Sequence, residues 1–353
     1  MRPPSFRAIA AMIAAASFVL LLARARPIGS QRGIEPLLFA GGLHQPRGID
    51  VAPDGSLLVA EAGVAGASGT VPGRVTRLNS AGQPTVLIDN LPAASPGQPL
   101  FAQSGPSALA RDPRRNDGSA LLFLGPDEAH SAAWVARLVP GEPAWELQPL
   151  DLGGDMDVAA TIWNARSGAQ GAIYATAPLA NRLLRLGPLE AVGPLMATTV
   201  TGFVDRGQAN PLPTGIALGP DGALYVAFFG PPPYRAGSGQ IVRVTPDGLW
   251  QPVFTSLNFP VALAFSPAGR LYVLELASSF DRRINRFTPG SGRLLALGPS
   301  NAHRRVVVRD INYPTALAIS PTGDAYFSEN GVLSGAGEGR ILRVTAPALQ
   351  SLP

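Results

Sequence analysis

Residues Pro213 to Gly248 read PTGIALGPDGALYVAFFGPPPYRAGSGQIVRVTPDG, and this stretch decides the fold. It holds an apolar run, GIAL, then a Pro-Asp-Gly turn and a second run, ALYVAFF. A loop rich in glycine and proline follows, then a third run, QIVRV, and another Pro-Asp-Gly. Short β-branched and aromatic runs between such turns predict antiparallel strands joined by tight hairpins.

The same phrase recurs five more times, in degraded form, along the chain. Five of the six first runs end in proline. They are GIDVAP (Gly48 to Pro53), ALARDP (Ala108 to Pro113), MDVAAT (Met156 to Thr161), GIALGP (Gly215 to Pro220), ALAFSP (Ala262 to Pro267) and ALAISP (Ala316 to Pro321). The second runs are SLLVAEA, ALLFLGP, AIYATAP, ALYVAFF, RLYVLEL and DAYFSEN. An internal repeat of this kind indicates a repeat architecture rather than a single irregular sheet.

An arginine inside the third run fixes the register of the repeats. It falls at Arg77, Arg137, Arg185, Arg243 and Arg343, and Ala296 takes its place in the fifth repeat. From Arg77 to Arg343 is 266 residues over five intervals, or about 53 residues per repeat. That length suits a four-stranded propeller blade, and a sandwich of unrelated strands would not explain the shared arginine.

Fourth strands are predicted after each third run except the last. They fall at Thr85 to Asp89, Glu146 to Leu150, Pro194 to Phe203, Pro252 to Ser256 and Val306 to Asp310. Residues Pro36 to Leu43 resemble a fourth strand that stands before the first repeat. We therefore predict an all-β, six-bladed propeller with four-stranded blades, in which this N-terminal strand closes the ring beside Ile341 to Thr345 and removes an open sheet edge.

Composition narrows the class of protein. The 353 residues are 46% hydrophobic and only 15% charged, with 40 Gly and 36 Pro, so a sizeable core and frequent turns are expected. All 28 cationic residues are arginines, and the net charge is +4. Because the register arginines are spread around the ring, they form no basic stripe, and nucleic-acid binding is not expected. The chain has no cysteine, which excludes disulfides, thiolate metal sites and thiol catalysis.

The N-terminal segment has the order of a secretory signal peptide. Arg2 and Arg7 precede an uncharged run from Ala8 to Ala23, and a small-x-small site follows. An uncleaved membrane anchor is the alternative, because Arg24 and further arginines come directly after the run. We expect residues 1–25 to be the signal peptide or anchor, 26–35 a linker, 36–348 one propeller and 349–353 a tail. Both readings predict an extracytoplasmic location.

Three phrases carry a resemblance to a known family: QPRGIDVAPDGSLLVAEAG, LPTGIALGPDGALYVAFFG and YPTALAISPTGDAYFSENG. They resemble the secreted NHL-type propellers of the ScyD/ScyE family, within the wider group of SGL- and NHL-like propellers, over roughly Gly41 to Thr345. The long insert after each second strand favours this family, and the third repeat departs most from it. The resemblance implies an extracytoplasmic propeller and does not settle a reaction.

Candidate site residues follow from propeller geometry, because the loops between second and third strands converge with the crossovers between blades at one face. Residues at the ends of second strands are Glu61, Asp127, Glu128, Glu275, Glu329 and Asn330, and those on the crossovers are His44, Arg47, Asn210, Asn258 and Asn312. Phe228 and Tyr234 belong to an apolar loop at the same mouth, which could instead pack on itself. Ligand sites prefer such concave mouths.

Two functions remain open from the sequence. Oxygen atoms of Glu61, Glu275, Glu329 and Asn330 would suit Ca²⁺ if they converged, and such a site would support a lactonase-like hydrolase. The alternative for each glutamate is a pair with a neighbouring arginine. The first hypothesis is a propeller that binds a small molecule, glycan or protein on its loop face without an established reaction. No serine elbow, zinc or nucleotide motif occurs, and scarce histidine and absent lysine disfavour a quinone-dependent sugar dehydrogenase.

Overall fold

The repeats predict strands that end at tight turns, and the computed structural model contains those strands. It describes residues 33–351, apart from 53, 67–68, 96, 116, 127–132, 140–146, 151–160, 169–170, 188, 190–194, 204–209 and 299–302. Residues from Ile34 to Pro353 form one compact unit. The predicted signal or anchor segment lies outside the described residues, as do Asp127, Glu128 and His130. Within the described ranges, no helix is both long and apolar enough for a membrane crossing.

Six four-stranded antiparallel sheets make up the ring, so the predicted six-bladed propeller is confirmed. Blade 1 holds β2 (Pro46–Val51), β3 (Leu57–Glu61), β4 (Gly73–Leu78) and β5 (Pro84–Leu91). Blade 2 holds β6 (Gly105–Arg111), β7 (Ala120–Gly125), β8 (Trp134–Leu138) and β9 (Leu147–Pro149). Blade 3 holds β10 (Asn164–Ser167), β11 (Ile173–Ala177), β12 (Arg182–Leu186) and β13 (Ala197–Gly202).

The second half of the ring repeats the same order. Blade 4 holds β14 (Pro213–Leu218), β15 (Leu224–Phe228), β16 (Gly239–Val244) and β17 (Trp250–Leu257). Blade 5 holds β18 (Pro260–Phe265), β19 (Leu271–Glu275), β22 (Gly292–Leu297) and β23 (Arg304–Ile311), with a small hairpin of β20 (Phe280–Asp281) and β21 (Arg286–Phe287) inserted. Blade 6 holds β24 (Leu317–Ile319), β25 (Ala325–Glu329), β26 (Gly339–Val344) and β1 (Leu37–Leu43), and a short helix, α1 (Ala346–Gln350), follows.

The N-terminal strand closes the ring as predicted. Strand β1 pairs with β26 in antiparallel register, with Leu37 opposite Arg343 and Leu43 opposite Gly339. The last blade is therefore completed by residues from the opposite end of the described chain. This closure leaves no open edge between the first and last blades.

The arginine register is confirmed residue by residue. In every blade the third-strand position lies opposite the same second-strand position, for example Arg243 opposite Tyr225 and Arg343 opposite Tyr326. In blades 4 and 6 the arginine pairs with an acid of the nearby turn, since Arg243 lies 2.6 Å from Asp221 and Arg343 lies 2.5 Å from Asp324. The hydrogen bond and charge of Arg243, acting against partial burial, lower the pKa of the Asp221 carboxyl.

The one departure, Ala296, coincides with a turn that has no acid, although blade 3 keeps Arg185 after a turn that also lacks one. The fifth repeat has Pro267-Ala268-Gly269 where the fourth has Pro220-Asp221-Gly222. Ala268 has no carboxylate, so an arginine at position 296 would lack the partner that Asp221 gives to Arg243. The arginine and the turn acid are therefore absent together.

Blade 3 differs from the prediction in two ways. Its first strand is β10, Asn164–Ser167, and not the run from Met156 to Thr161, of which only Thr161 is described, outside any strand. The sequence Asn-Ala-Arg-Ser does not predict a strand because it has no apolar run. Arg166 lines the channel, and the Ser167 hydroxyl donates to the Arg111 carbonyl of blade 2. The connection from β11 to β12 is also only Pro178 to Asn181, so the long insert is not present in every repeat.

Apolar cores fill the spaces between blades, and small residues let the first strands approach each other around the channel. A Cβ added to Gly215 would lie 2.7 Å from the Cα of Ala262 in the next blade, so this position tolerates no side chain without movement. The equivalent positions are Gly48, Ala108, Asn164, Ala262 and Ala316. The channel is therefore narrow at this level, and larger side chains line it on either side.

Candidate functional site

Among the residues that the structure describes, three blade junctions on the loop face carry the same set of contacts, which we call the junction clamp. Its clearest copy is built on Glu275, whose side chain is fully buried. One carboxylate oxygen accepts a hydrogen bond from the Asn258 backbone N–H at 2.7 Å, and the other accepts one from Arg293 Nε at 2.7 Å. Asn258 Oδ1 in turn accepts the backbone N–H of Gly237 in the preceding blade, at 2.8 Å.

The other two clamps repeat this arrangement. Around Glu61, the donors are the His44 N–H at 2.6 Å and Arg74 Nε at 2.9 Å, and His44 Nδ1 accepts the N–H of Gly337 at 2.8 Å. The looser third copy consists of Glu329, which accepts from the Asn312 N–H at 3.3 Å and from Arg340 Nη1 at 3.4 Å, with Asn312 Oδ1 accepting the Gly290 N–H at 2.8 Å. Each clamp ties a crossover to the long loop of the previous blade.

Burial changes the pKa of two clamp residues, Glu275 and His44. It raises the pKa of the Glu275 carboxyl, and the charge of Arg293 opposes that change only in part. Burial also lowers the pKa of His44, with repulsion from Arg74 as the second cause. Since His44 Nδ1 accepts a hydrogen bond from Gly337, the neutral imidazole carries its proton on Nε2.

The clamps account for six of the predicted site residues and for the alternative interpretation of the glutamates. Each glutamate pairs with an arginine directly opposite on the third strand of its own blade. In the described part of the chain, no group of three or more His, Asp or Glu side chains lies close enough to hold a metal ion. The described carboxylates therefore do not fit a shared Ca²⁺.

The remaining predicted residues have different surroundings. Asn330 accepts from Asn312 Nδ2 at 2.7 Å and donates to the Glu338 carbonyl at 2.8 Å, so it is hydrogen-bonded to a residue of the third clamp. Phe228 is buried in the core with Phe203 and Trp250 rather than lining the mouth. Asn210 is exposed.

Tyr234 lies in a cluster of aromatic rings on the loop face. Its ring centroid is 5.8 Å from that of Phe229, 5.1 Å from Phe280 and 5.4 Å from Phe287. Burial raises the pKa of its phenol. The loop that carries Tyr234 therefore packs on its neighbours, which agrees with the self-packed alternative for this segment.

Arg47 is the predicted residue whose setting points to a ligand. It is 6% exposed and occupies the extra position of a β-bulge between Pro46 and Gly48. Its guanidinium donates to the Ser104 carbonyl at 2.9 Å, to Gln45 Oε1 at 3.1 Å and to Gln103 Oε1. All three acceptors are neutral, and Nε has no hydrogen-bond partner among the described residues.

Burial of the Arg47 guanidinium away from water changes its pKa. It lowers the pKa of the guanidinium to about 9, with no carboxylate to offset it. A guanidinium stays protonated at neutral pH, so Arg47 places a buried positive charge at the loop end of the channel. Buried charges are normally paired or bound to a ligand. The cavity that Arg47 lines has a volume of about 10 Å³, so in this structure there is room beside the guanidinium for about one oxygen atom of a ligand.

Trp163 is a neighbouring residue that sequence reasoning missed. It is the blade 3 equivalent of Arg47 and is 6% exposed. Its indole Nε1 donates to the Val261 carbonyl in blade 5 at 3.0 Å, so the side chain reaches over the channel. The size of Trp163 is a signal in the sequence, because it is a large side chain where four other blades have small or β-branched residues. Those residues are Ser107, Thr214, Val261 and Thr315.

Solved structures support the fold. No known protein family matches this chain, and no curated protein matches it. A structure of a glucose dehydrogenase, described as a putative oxidoreductase from Thermus thermophilus, has a TM-score of 0.59 at 20% identity and covers 88% of this chain and 99% of its own. The PQQ-bound aldose sugar dehydrogenase of Streptomyces coelicolor has a TM-score of 0.59 at 16% identity, covering 88% and 96%.

A putative gluconolactonase is also similar, with a TM-score of 0.54 at 12% identity, and the match covers 90% of this chain and 93% of that one. These neighbours are six-bladed propellers of the SGL- and NHL-like type. At such low identities, the likeness shows a shared fold and carries no assignment of activity.

Proposed function

We propose that this chain is an extracytoplasmic propeller that binds a small, oxygen-rich molecule at the loop end of its central channel, with Arg47 as the residue that contacts it. The observation that carries the proposal is the buried Arg47 guanidinium, which has neutral acceptors only and a free Nε–H among the described residues. A ligand carboxylate or carbonyl oxygen would accept from it, and a charge-assisted hydrogen bond is stronger than a neutral one.

The proposed class of ligand rests on proteins that share this fold. Two structural neighbours are described as sugar dehydrogenases, and a third is described as a putative gluconolactonase. A sugar acid or its lactone combines many hydroxyls with the carboxylate or carbonyl that Arg47 would favour. The sugar-acid class is therefore preferred here over a glycan or a protein partner.

Location and cofactor are part of the same proposal. The run from Ala8 to Ala23, preceded by Arg2 and Arg7, supports export or an N-terminal membrane anchor. The clamp glutamates form ion pairs with arginines, so among the described residues they do not form a ligand set for the expected Ca²⁺. Binding is therefore proposed without a metal and without a reaction.

Calorimetric titration of the purified full chain tests the proposal. The probes are D-gluconate, D-glucono-δ-lactone, D-glucose and PQQ. We expect gluconate or its lactone to bind, and Arg47→Met to weaken that binding at least about tenfold, which corresponds to about 1.4 kcal/mol. Asn258→Ala, which removes a clamp contact and leaves Arg47 in place, is the matched control. Failure of all four probes, or an unchanged affinity in Arg47→Met, would refute it.

The same samples test the lactonase alternative. Hydrolysis of gluconolactone above its spontaneous rate, dependent on Ca²⁺ and abolished by a chelator, would favour the hydrolase. A thermal shift caused by Ca²⁺ alone would require ligands other than the described clamp carboxylates. Binding without turnover, unaffected by chelator, is the outcome that the proposal expects.

A further inference from the structure

A cavity of about 360 Å³ opens at the other end of the channel, where the turns between first and second strands lie. Its wall includes Asp50 of β2, Arg111 of β6, Arg166 of β10 and the ends of β14, β18 and β24. All six blades therefore contribute to it. Its volume falls within the range of small-molecule sites.

The cavity exists because most blades have a small residue at one position of the first strand. The pairing of first with second strands aligns Asp50 with Ala110, Arg166, Ala217, Ala264 and Ala318. Four of the six are alanines, which leave space around the axis. The other two, Asp50 and Arg166, are charged, and a charge at a position where the fold uses alanine calls for a functional reason.

Arg166 reaches from blade 3 to two distant blades. Its Nη1 donates to the Ile49 carbonyl of blade 1 at 3.2 Å, and its Nη2 donates to the Leu317 carbonyl of blade 6 at 2.7 Å. Both acceptors are neutral. Burial lowers the pKa of this guanidinium, Asp50 opposes the change and Arg111 adds to it. Two of its five N–H donors are used by these contacts, so donors remain for a ligand.

Arg111 and Asp50 complete the charged part of the wall. Asp50 accepts the backbone N–H groups of Val51 and Arg111, each at 2.9 Å, so its carboxylate is already engaged. Arg111 Nε lies 3.8 Å from Asp50 Oδ2 and makes no hydrogen bond to a described residue. Two guanidiniums face one carboxylate, which leaves this wall with one net positive charge.

The remaining wall is apolar. Leu218, Leu263, Phe265 and Ile319 line it, together with Pro267 and Pro321. We propose that this cavity binds a small organic monoanion, whose carboxylate accepts from Arg111 and Arg166 while its hydrocarbon body packs against the apolar wall. A bidentate or paired guanidinium contact is a strong way to recognise a carboxylate. This site lies at the opposite end of the first strands from Arg47 and does not depend on the proposed function there.

Titration of benzoate, benzyl alcohol and inorganic phosphate into the full chain tests this proposal. We expect benzoate to bind at least tenfold more tightly than benzyl alcohol, which matches its ring and lacks its charge, and more tightly than phosphate, which lacks the ring. Equal binding of benzoate and benzyl alcohol would overturn the role of the arginines. Phosphate binding without benzoate binding would overturn the role of the apolar wall.

Variants locate the binding at this cavity. Arg111→Gln, at a partly exposed side chain, should weaken benzoate binding at least tenfold, and Ala264→Leu should abolish it by filling the cavity without changing the charge. Arg166→Met should also abolish it, but it removes contacts between blades, so the other two variants carry the test if it fails to fold. Arg243→Gln, on the third strand of blade 4 and outside this cavity, should keep the wild-type affinity. Unchanged benzoate binding in both Arg111→Gln and Ala264→Leu would overturn the proposal.

Discussion

The junction clamps and the central channel use the same kinds of side chain in opposite settings. At a clamp, Glu275 accepts hydrogen bonds from Arg293 and from the backbone N–H of Asn258, so every charge has a partner within its own set. In the channel, Arg47 and Arg166 donate only to neutral oxygens. Among the described residues, the clamp occurs three times around the ring, while each channel arginine occurs once.

This difference between clamp and channel shows how structural polar residues can be told apart from ligand-binding ones in a repeat protein. A polar group that recurs together with its partners is satisfied by the fold and needs no ligand. A charged group that occurs in one blade, at a position where most other blades have small or β-branched residues, has no such recurring partner. Burial of an unpaired charge costs stability, so its presence calls for a function outside the fold.

The largest expected effect is at a clamp. Glu275→Ala removes a buried carboxylate and leaves the Asn258 N–H and Arg293 without their acceptor, so we expect a loss of about 3 kcal/mol in the free energy of unfolding. Glu329→Ala is the matched control, because its contacts are longer and Arg340 is 56% exposed. It should cost less than about 1 kcal/mol. Urea unfolding measures both, and equal losses would show that burial does not set the strength of the clamps.

The clamp at His44 predicts a dependence on pH. Its pKa in the folded protein is lowered below 6.5, so the unfolded chain binds more protons as the pH falls below that value. Stability should therefore be full above about pH 6.5 and decline as the pH falls towards the folded-state pKa, by at most about 1.4 kcal/mol per pH unit. The reason is that burial and repulsion from Arg74 both disfavour the protonated imidazole in the folded protein and lower its pKa.

His44→Asn isolates that effect, because asparagine occupies the same position in the other two clamps. The variant should keep the clamp and lose this part of the pH dependence. Unfolding curves of both proteins between pH 5 and 7 give the comparison, and other titrating groups cancel in the difference. The same slope in both proteins would contradict the role given to the imidazole.

The smallest expected effect comes from extending the scaffold pattern to blade 5. The double variant Ala268→Asp and Ala296→Arg introduces the turn acid and register arginine that the fourth repeat has at Asp221 and Arg243. The reference pair of Arg243 and Asp221 is partly exposed, and Ala296 is buried, so the gain in unfolding free energy should stay below about 1 kcal/mol. A double-mutant cycle measures the coupling, and a net loss would show that blade 5 excludes the pair for another reason.

Much of the fold was predictable because its signals are local and repeated. Turn residues predicted the hairpins, and the register arginines aligned the six repeats. The extra strand before the first repeat predicted how the ring closes. Blade 3 was misaligned because β10 has polar side chains and lacks an apolar run. That misalignment also hid Arg166, whose place among four alanines becomes visible only after all six first strands are aligned.

The candidate site was less predictable for a geometric reason. Position at the end of a second strand tells which face of the propeller a residue lies on, but not whether its side chain points to the axis or along the blade. Glu61 and its relatives point to the third strand, where an arginine lies opposite. Arg47 was named from its place on a crossover, but a single sequence does not show that its acceptors Ser104, Gln45 and Gln103 are all neutral.

Gluconate titration of Arg47→Met, with its unfolding free energy measured on the same sample, tests the central claim most directly. We expect the free energy of unfolding of the variant to lie within about 1 kcal/mol of the wild-type value, because the loss of hydrogen bonds offsets the removal of a buried charge. Gluconate binding should weaken at least about tenfold. Wild-type affinity in a stable Arg47→Met would contradict it. So would a loss of several kcal/mol with binding intact, since Arg47 would then belong to the scaffold.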